Sequence, residues 1–437
     1  MSYFKKALDA LCELKQEKTG RLLFYINFFA LSGLALIIIS IPFNHVNAVQ
    51  SIGFILFLLT WILKRTITKD WVFKTTTLYL SICILLAVIL LSLVTCYDLH
   101  YTLKRIKSEI ITLILLFLFV TDYCNAHHKT YSVFLIFLIG NFLALAIFLF
   151  QFYSHGFNIN NFITSVATKE FMSRGLPHTS AYFLFASTFL YTALYYIKQL
   201  KYYLLLIPYF LLNIFFLFLA NQRAALVGFV CVVIAHFLLF AEHRKKAFVF
   251  ILLIGCLSTM FILSTPLKSI LIHEDWSKIK KFDLSTDSKK DTFQARIKIQ
   301  KYFWAYLKDN PFKGVGYGRR NLRKVENEIT YEQPDYTHAH NVFFNFTLQT
   351  GVQGLLALLY VIFIQFKLFW NGFKKSKKNF DRFFFSGTIL YMIGIWTRMQ
   401  FDDVFRHGTA INYWIIIGMA NSFWLIINQE KTDTVNE

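Results

Sequence analysis

Charged residues are scarce in this chain of 437 residues. Asp, Glu, Lys and Arg make up 16% of it, whereas an ordinary soluble domain contains about 25%. Hydrophobic residues make up 56% and aromatic residues 19%, with 50 phenylalanines and 23 tyrosines. A soluble core could not bury that many apolar side chains. The composition therefore excludes an ordinary soluble protein and predicts an integral membrane protein.

The sequence also lacks the motifs of several common chemistries. None of its six cysteines forms a Cys-x-x-Cys pair, so structural thiols are a better interpretation than disulfides or a metal site. It contains no P-loop and no Rossmann glycine pattern, so we expect no nucleotide and no cofactor. The net charge of +20 would suggest nucleic acid in a soluble protein. In a membrane protein the basic residues must first be located in the loops between spans before they are interpreted. We expect no nucleic-acid partner.

Long apolar runs divide the chain into candidate membrane spans. A helix needs about 20 mostly apolar residues to cross the hydrocarbon of a bilayer. Twelve candidate spans lie near 22–42, 49–64, 76–96, 106–124, 132–153, 180–198, 202–220, 224–241, 247–265, 342–369, 383–399 and 409–427. We therefore predict an all-α integral membrane protein with about 12 transmembrane helices, which forms a single polytopic domain over 1–437.

Lysine and arginine residues fall mostly in alternate loops. Cytoplasmic loops are enriched in both residue types, so we predict that these loops and both termini are cytoplasmic. Their basic residues are Lys5, Lys6, Lys15, Lys18, Arg21, Lys64, Arg65, Lys69, Lys129, Lys198, Lys201, Arg244, Lys245, Lys246, Lys374, Lys375, Lys377, Lys378 and Arg382. The segment with Lys104, Arg105 and Lys107 falls on the other side and departs from this rule.

Two long loops face away from the cytoplasm on this topology. The first runs from about 153 to 180 and contains Arg174. The second covers 266–340 and is predicted to form an inserted outer subdomain, because loops this long are usually functional or separately folded. Its stretch over 291–307 predicts an amphipathic helix. The apolar stripe of that helix consists of Ile299, Phe303, Tyr306 and Leu307.

Two arginines in these outer regions are candidate functional residues. Arg223 lies between two apolar runs with no room for a real loop. Charge at membrane depth is expensive and usually faces a cavity or an anionic partner, although an interfacial arginine can also extend to lipid head groups. Its position on the outer side favours a functional role. Arg296 lies on the polar side of the predicted loop helix, where an arginine taken alone is ordinary.

A pair of histidines and a separate pair of acids supply further candidates. His338 and His340 flank Ala339, and no further ligands stand at zinc-binding spacing. Histidine is the usual general base near neutral pH, while the alternative interpretation is a polar helix start capped by Asn341. Asp402 and Asp403 are adjacent. A carboxylate pair can hold a divalent cation, but it is more often a solvated loop or a salt-bridge partner.

These pieces together resemble the O-antigen ligase family. The most specific match is a His-Asn-x9-Gly-x-x-Gly pattern formed by His340, Asn341, Gly351 and Gly354. The segment Asn-Pro-Phe-Lys-Gly-Val-Gly-Tyr-Gly over 310–318 is similar to a second segment of the family.

A third match to the family is an arginine followed by small residues at the outer end of a span. This chain has Arg223-Ala224 where the family usually has Arg-Gly. Arg296 and Trp304 precede the glycine-rich segment at the places the family leads one to expect. The specific motifs lie between Arg174 and Gly354, while the layout of spans covers most of the chain.

The resemblance implies a glycosyltransferase with a GT-C-like fold in the inner membrane of a Gram-negative bacterium, with its active site facing the periplasm. The implied donor is O-antigen polysaccharide on undecaprenyl diphosphate. The implied acceptor is the outer-core sugar of lipid A–core, and membrane lipids surround the protein. The large loop would then be a helical periplasmic loop, and the product would be complete lipopolysaccharide.

The resemblance also assigns roles to the candidate residues. Arginine suits the diphosphate leaving group, because its planar fork pairs bidentately with phosphate oxygens. The catalytic set is therefore Arg223, Arg296 and His340, with His340 as the base that accepts the proton of the acceptor hydroxyl. The residues expected to bind substrate are Arg174, His338 and Asn341. Since arginines could supply the charge compensation that a metal gives elsewhere, we predict an inverting reaction without metal.

Three alternatives stay open from the sequence. An O-antigen polymerase uses the same kind of donor but passes the glycan to another lipid-linked glycan, and the His340 pattern favours the ligase. A protein-directed oligosaccharyltransferase of the same superfamily usually has an added C-terminal outer region. A transporter of lipid-linked glycan would often show repeated halves, and the segments around Arg223 and His340 have no second copy.

Overall fold

The computed structural model describes residues 18–72, 76–169, 175–220, 222–246, 248–249, 252, 292–322 and 339–436. Within these ranges the regular structure is helical, and no strand forms. The all-α prediction is therefore confirmed for the described part of the chain. The predicted span 247–265 and most of the loop 266–340 lie outside it.

The described helices follow the predicted apolar runs. In chain order they are α1 (Lys18–Ser40), α2 (Asn47–Thr68), α3 (Thr77–Leu91), α4 (Leu99–Arg105), α5 (Thr112–Tyr123), α6 (His127–Ser154), α7 (Ile159–Ala167), α8 (Leu176–Tyr196), α9 (Leu200–Leu219), α10 (Arg223–Leu239), α11 (Thr292–Asp309), α12 (Val342–Thr350), α13 (Val352–Lys375), α14 (Asn379–Arg398) and α15 (His407–Asn436). A π-helical segment, Ile106–Ile111, joins α4 to α5.

Among the described helices, six are long and apolar enough to cross a membrane. They are α1, α2, α6, α9, α13 and α15, the first counted from Gly20 and the last to Glu430. The shorter apolar helices α3 and α10 have 15 and 17 residues, less than the length of about 20 residues that spans the hydrocarbon without help. The chain is thus a multi-pass membrane protein, while the figure of twelve spans and the GT-C-like fold stay predictions.

The predicted span over 342–369 differs from the structure. Gly351 interrupts it with a φ of 79°, a left-handed conformation that a residue with a Cβ rarely adopts. The chain therefore forms two helices, the short α12 and the long α13, instead of one. The break gives α12 a direction of its own, and α12 carries the residues that follow His340.

The close packing of α10 against α14 shows which ends of these two helices lie together. A Cβ atom on Gly228 would lie 2.6 Å from the carbonyl oxygen of Gly394 and 3.5 Å from Cβ of Arg398. Such close approach of backbones is typical of membrane helices that meet through small residues. Because Gly228 is little more than one turn after Arg223, the start of α10 lies at the same end of the bundle as Arg398.

Loops that the sequence predicts to be cytoplasmic meet at one end of the helices. Arg65 pairs with Asp122 there, and His127 follows after a short turn. Nε2 of His127 lies 3.2 Å from Oε1 of Glu430, which in turn lies 3.1 Å from Nζ of Lys378. We call this the basic end, and it comprises residues 61–72, 122–129, 374–382 and 428–430.

The sequence motifs meet at the opposite end of the helices. This motif end comprises residues 95–109, 175–180, 222–223, 310–322, 339–345 and 398–409. Here the amide of Val342 donates to the carbonyl oxygen of Met399 at 3.0 Å, and the amide of Tyr97 donates to the carbonyl oxygen of Val315 at 3.1 Å. The helix ends and the loops between them thus form one connected surface.

Candidate active site

His340 lies in a backbone segment that its neighbours fix on both sides. The buried Ala339 donates its amide hydrogen to Oδ1 of Asn345 at 2.7 Å. On the other side, Val342 is bonded to Met399. Between these anchors His340 has a φ of 52°, which costs a residue with a side chain about 1–3 kcal/mol. Such strain persists only where the surroundings determine the conformation, and it is common at active sites.

Asn341 caps the helix that follows His340. Its Oδ1 accepts the amide hydrogen of Phe344 at 3.0 Å, and its Nδ2 donates to the backbone oxygen and to Oε1 of Gln400 at 3.1 and 3.2 Å. The alternative interpretation of Asn341 as a helix cap is therefore what the structure shows. Its predicted contact with substrate stays a prediction.

Asp402 is the acidic partner of His340. Its Oδ1 lies 3.7 Å from Nδ1 of the histidine, which is a contact between charges and longer than a hydrogen bond. Oδ1 also accepts the amide hydrogen of Asp403 at 2.8 Å. Burial raises the pKa of Asp402, but His340, the Arg398 guanidinium and the Asp403 amide lower it further, to about 2. Asp402 is therefore an anion at neutral pH.

Arg398 is a buried residue that the sequence analysis did not select. Its Nη2 donates to the carbonyl oxygen of Pro177 at 2.7 Å and to Oγ of Ser180 at 2.9 Å. These bonds tie the end of α14 to the start of α8, and the charge of Arg398 lies close to Asp402. The available signal was an arginine at the end of an apolar run, as at Arg223, since such charges are usually functional or paired.

Arg223 is the first residue of α10, at the motif end. The helix N-terminus carries a partial positive charge and its unpaired amides favour anions. The side chain of Arg223 is exposed. Arg223 and the N-terminus of α10 therefore add positive charge at the same end of the bundle as His340 and Arg398.

The helix α11 packs against the segment that carries His340. The predicted apolar stripe is confirmed, since Ile299, Phe303 and Leu307 are buried and Tyr306 is partly buried in one cluster with Ala339. On another face, Nε2 of Gln300 donates to the carbonyl oxygen of Ala339 at 3.4 Å.

Only the backbone of Arg296 is described, in the first half of α11. Arg296 precedes Gln300 by four residues, and residues four apart share a helix face. Its backbone is therefore on the face that adjoins the His340 segment. The side chain of Arg296, and the whole of Arg174 and His338, lie outside the described residues.

The glycine-rich segment over 310–318 braces α12. The amides of Val315 and Gly316 donate to the carbonyl oxygens of Leu348 and Gln349 at 3.0 and 3.1 Å. At the other end of the segment, the carbonyl oxygen of Pro311 accepts from the next helix at 2.9 Å. This second motif thus holds α12 in place through backbone hydrogen bonds. It contributes no reacting group of its own to the proposed chemistry.

The two adjacent carboxylates face different partners. Asp402 faces His340, whereas Oδ2 of Asp403 accepts from Nε of Arg319 at 2.7 Å and from Nδ2 of Asn345 at 2.9 Å. The salt-bridge interpretation of this acidic pair is what the structure shows. Within the described ranges, no three His, Cys, Asp or Glu side chains are grouped as metal ligands would be.

Comparison with known proteins agrees with the sequence motifs. Residues 208–359 match the model of the family described as O-antigen ligase. The matched range begins in α9 and contains Arg223, Arg296 and the His340 segment. No curated protein matches the chain. The resemblance to the O-antigen ligase family is thus confirmed over these residues.

Proposed function

We propose that this protein transfers O-antigen polysaccharide from undecaprenyl diphosphate to the outer-core sugar of lipid A–core, since residues 208–359 match the model of the family described as O-antigen ligase. Members of the family are glycosyltransferase-like enzymes of lipopolysaccharide biosynthesis. The observation that carries the proposal is the contact of His340 with Asp402 at the end of the bundle where α10 begins with Arg223. That end offers both a base and an anion site, which are the two things this transfer needs.

His340 is the proposed general base. It takes the proton from the acceptor hydroxyl as the hydroxyl oxygen attacks C1 of the donor sugar. A carboxylate next to Nδ1 favours the proton on that nitrogen, so Nε2 accepts. Asp402 then stabilises the imidazolium that forms, as the acid does in other His–acid pairs. Because Asp402 stays ionised at neutral pH, it can do this throughout the physiological range.

Arginines are proposed to hold the leaving group. The bond between C1 and the diphosphate oxygen breaks with its electron pair on the diphosphate, and attack from the opposite face inverts C1. Arg223 at the start of α10 and Arg296 on α11 would bind the phosphate oxygens, with Arg174 as a third. Arginines aimed at the developing charge would stabilise it without a metal ion.

The proposed reaction takes place on the periplasmic side of the inner membrane. Cytoplasmic loops are rich in lysine and arginine, and the basic end gathers such loops around Arg65, His127 and Lys378. The motif end would then face the periplasm. In this orientation the lipid-linked donor and acceptor would both be within reach of the same surface.

Deletion of the gene tests the proposal and separates it from a polymerase. Loss of a ligase leaves bare lipid A–core while undecaprenyl-linked polymer accumulates. Loss of a polymerase would instead leave single O-antigen repeats attached to the core, and this result would refute ligase activity. Both outcomes are read from lipopolysaccharide gels and from the extracted lipid-linked glycan.

Complementation of the deletion then tests the residues. His340→Ala should leave no ligation at normal protein level, because a positioned base contributes about 10²–10⁴-fold. His100→Ala is the matched control, since His100 is an exposed histidine at the same end. Full ligation by His340→Ala would remove His340 from the mechanism.

A further inference from the structure

A cavity of about 390 Å³ lies between α6, α8, α9 and α14, and its wall is mostly apolar. Six phenylalanines line it: Phe134, Phe137, Phe185, Phe189, Phe380 and Phe383. Their rings bridge the helices, since the ring centroids of Phe137 and Phe185 are 5.2 Å apart and those of Phe134 and Phe383 are 5.5 Å apart. Packed interiors contain few voids larger than a water molecule, whereas ligand pockets of about 300–1,000 Å³ are usual. The cavity therefore has the size and the lining of a site for an apolar ligand.

The cavity extends over about the depth of one bilayer leaflet. Its lining residues on α8 run from Phe185 to Tyr196, a rise of about 17 Å at about 1.5 Å per residue. The hydrocarbon core of a bilayer is about 30 Å thick, so one leaflet contributes about 15 Å. Asn379, the exposed first residue of α14, also lines the cavity and belongs to the basic end. The cavity therefore lies in the leaflet on the side of the basic end.

The volume of the cavity matches one fatty acyl chain. An apolar cavity of about 150 Å³ can bind benzene, a ring of about six carbons. By proportion, the volume of about 390 Å³ has room for about 16 carbons. The hydrocarbon region contains no water that could fill the space, whereas lipid chains surround the protein there. An acyl chain therefore fits the cavity in volume, in depth and in chemistry.

The chain segments that flank the cavity at the basic end are rich in lysine. Residues 196–203 and 374–380 both include lining residues, and together they contain six lysines and no acid. The lysines are Lys198, Lys201, Lys374, Lys375, Lys377 and Lys378. Glu430 pairs with Lys378 at 3.1 Å, and the next acid along the chain, Asp381, is buried beside His127. Lys198 and Lys201 are exposed, and lysines at a membrane surface attract anionic head groups.

We propose that this cavity binds one acyl chain of an anionic phospholipid, whose head group lies against Lys198 and Lys201. The apolar wall accepts the chain, and the lysines select the charge of the head group. A zwitterionic phospholipid offers the same chain without net charge, so the lysines give it no preference. The site lies at the opposite end of the bundle from His340 and uses none of the residues of the proposed transfer. The inference therefore stands whether the protein acts as a ligase or as a polymerase.

Native mass spectrometry of the full-length protein tests the cavity, because it counts the lipid molecules that stay bound. The probes are dioleoyl phosphatidylglycerol, dioleoyl phosphatidylcholine and undecaprenyl phosphate. Ala193 lines the cavity, so the ring in Ala193→Phe takes space that the chain needs. This variant should bind the first phosphatidylglycerol about fivefold or more weakly than the wild type. Ala146→Phe is the matched control, since Ala146 is an exposed alanine on α6 outside the cavity wall.

The same measurement tests the head group. The wild type should bind the first phosphatidylglycerol about 5- to 30-fold more tightly than phosphatidylcholine, since one lysine near the surface contributes about fivefold. Lys198→Gln combined with Lys201→Gln should remove this preference. Lys104→Gln combined with Lys107→Gln is the matched control, because these exposed lysines have the same spacing but lie at the motif end. Their replacement should leave the preference unchanged.

Each of the other outcomes overturns a stated part of the proposal. If Ala193→Phe binds the first phosphatidylglycerol as tightly as the wild type, the cavity is not the site. Equal affinity of the wild type for phosphatidylglycerol and phosphatidylcholine, or a preference lost equally in both lysine pairs, would overturn the role of Lys198 and Lys201. Tighter binding of undecaprenyl phosphate than of phosphatidylglycerol would assign the cavity to a polyprenyl chain. If Ala193→Phe fails to fold, Ala193→Leu serves, and it should weaken the first binding several-fold.

Discussion

The substitution Asp402→Asn measures what the acidic partner contributes to His340. The pKa of Asp402 falls from its ordinary value of 3.8 to about 2, although the side chain is 17% exposed and burial alone would raise it. One pKa unit corresponds to about 1.4 kcal/mol, so the surroundings stabilise the carboxylate by about 2 kcal/mol net. His340, Arg398 and the Asp403 amide share this free energy.

The size of the kinetic effect follows from this free energy. When His340 takes the proton, its full positive charge lies beside Asp402. If the whole of the roughly 2 kcal/mol acted in the transition state, the rate would fall by about 30-fold. Because Arg398 supplies part of this free energy, the expected fall in rate is smaller, about threefold to tenfold. We therefore expect Asp402→Asn to lower kcat by about 3- to 30-fold with little change in KM, a smaller loss than that of His340→Ala.

In vitro ligation with purified lipid-linked donor and lipid A–core measures kcat and KM. Asp309→Asn is the matched control, because Asp309 is an exposed acid at the end of α11. An unchanged kcat in Asp402→Asn would refute the role of Asp402 as partner of the base. A rise in KM at constant kcat would assign Asp402 to binding instead of to the chemical step.

The same pKa gives a sign for the pH dependence of stability. A carboxylate whose pKa is depressed in the folded state stabilises that state above its unfolded pKa, and the contribution disappears as the pH falls through the folded pKa. The unfolding free energies of wild type and Asp402→Asn should thus differ by about 2 kcal/mol at neutral pH. The difference should shrink below about pH 4 and vanish near pH 2. A difference that stays constant down to that pH would contradict the assignment.

Three further substitutions test the framework around the site. Arg398→Ala should lower the thermal unfolding midpoint more than Arg398→Lys, because it leaves the partly buried carboxylate of Asp402 without its basic neighbour; equal midpoints would contradict this. Gly228→Ala should cost about 1–3 kcal/mol in a denaturant titration, since the new Cβ would lie 2.6 Å from the carbonyl oxygen of Gly394. Asn341→Ala should cost about 1 kcal/mol of stability through loss of the helix cap, and a loss of ligation beyond that of stability would support the predicted contact with substrate.

Local patterns in the sequence were enough to predict the helices and one face of the loop helix. The stripe Ile299, Phe303 and Leu307 repeats at the helical period, and that period is the physical cause of its burial. The same holds for the cap at Asn341, which depends on a backbone amide three residues away. Features that depend on a few neighbouring residues can be predicted from those residues.

The partners of the candidate base could not be predicted in the same way. His340 and Asp402 come from different helix connections, and Arg398 bonds to Pro177 at a separation of 221 residues. Hydropathy tells which runs cross the membrane, but it does not tell which helix ends are neighbours. The break at Gly351 was missed for a related reason. The mean hydropathy of a window of about 20 residues shows that a run is apolar, but it does not show that one residue within the run has a positive φ.

The charge of the chain shows why position matters more than number. At the motif end Arg105 faces Glu109, Arg319 faces Asp403 and Arg398 lies beside Asp402. These arginines cannot be counted as free charge for a substrate, although the formal net charge is +20. A functional arginine must instead be argued from where it lies, as for Arg223 at the start of α10.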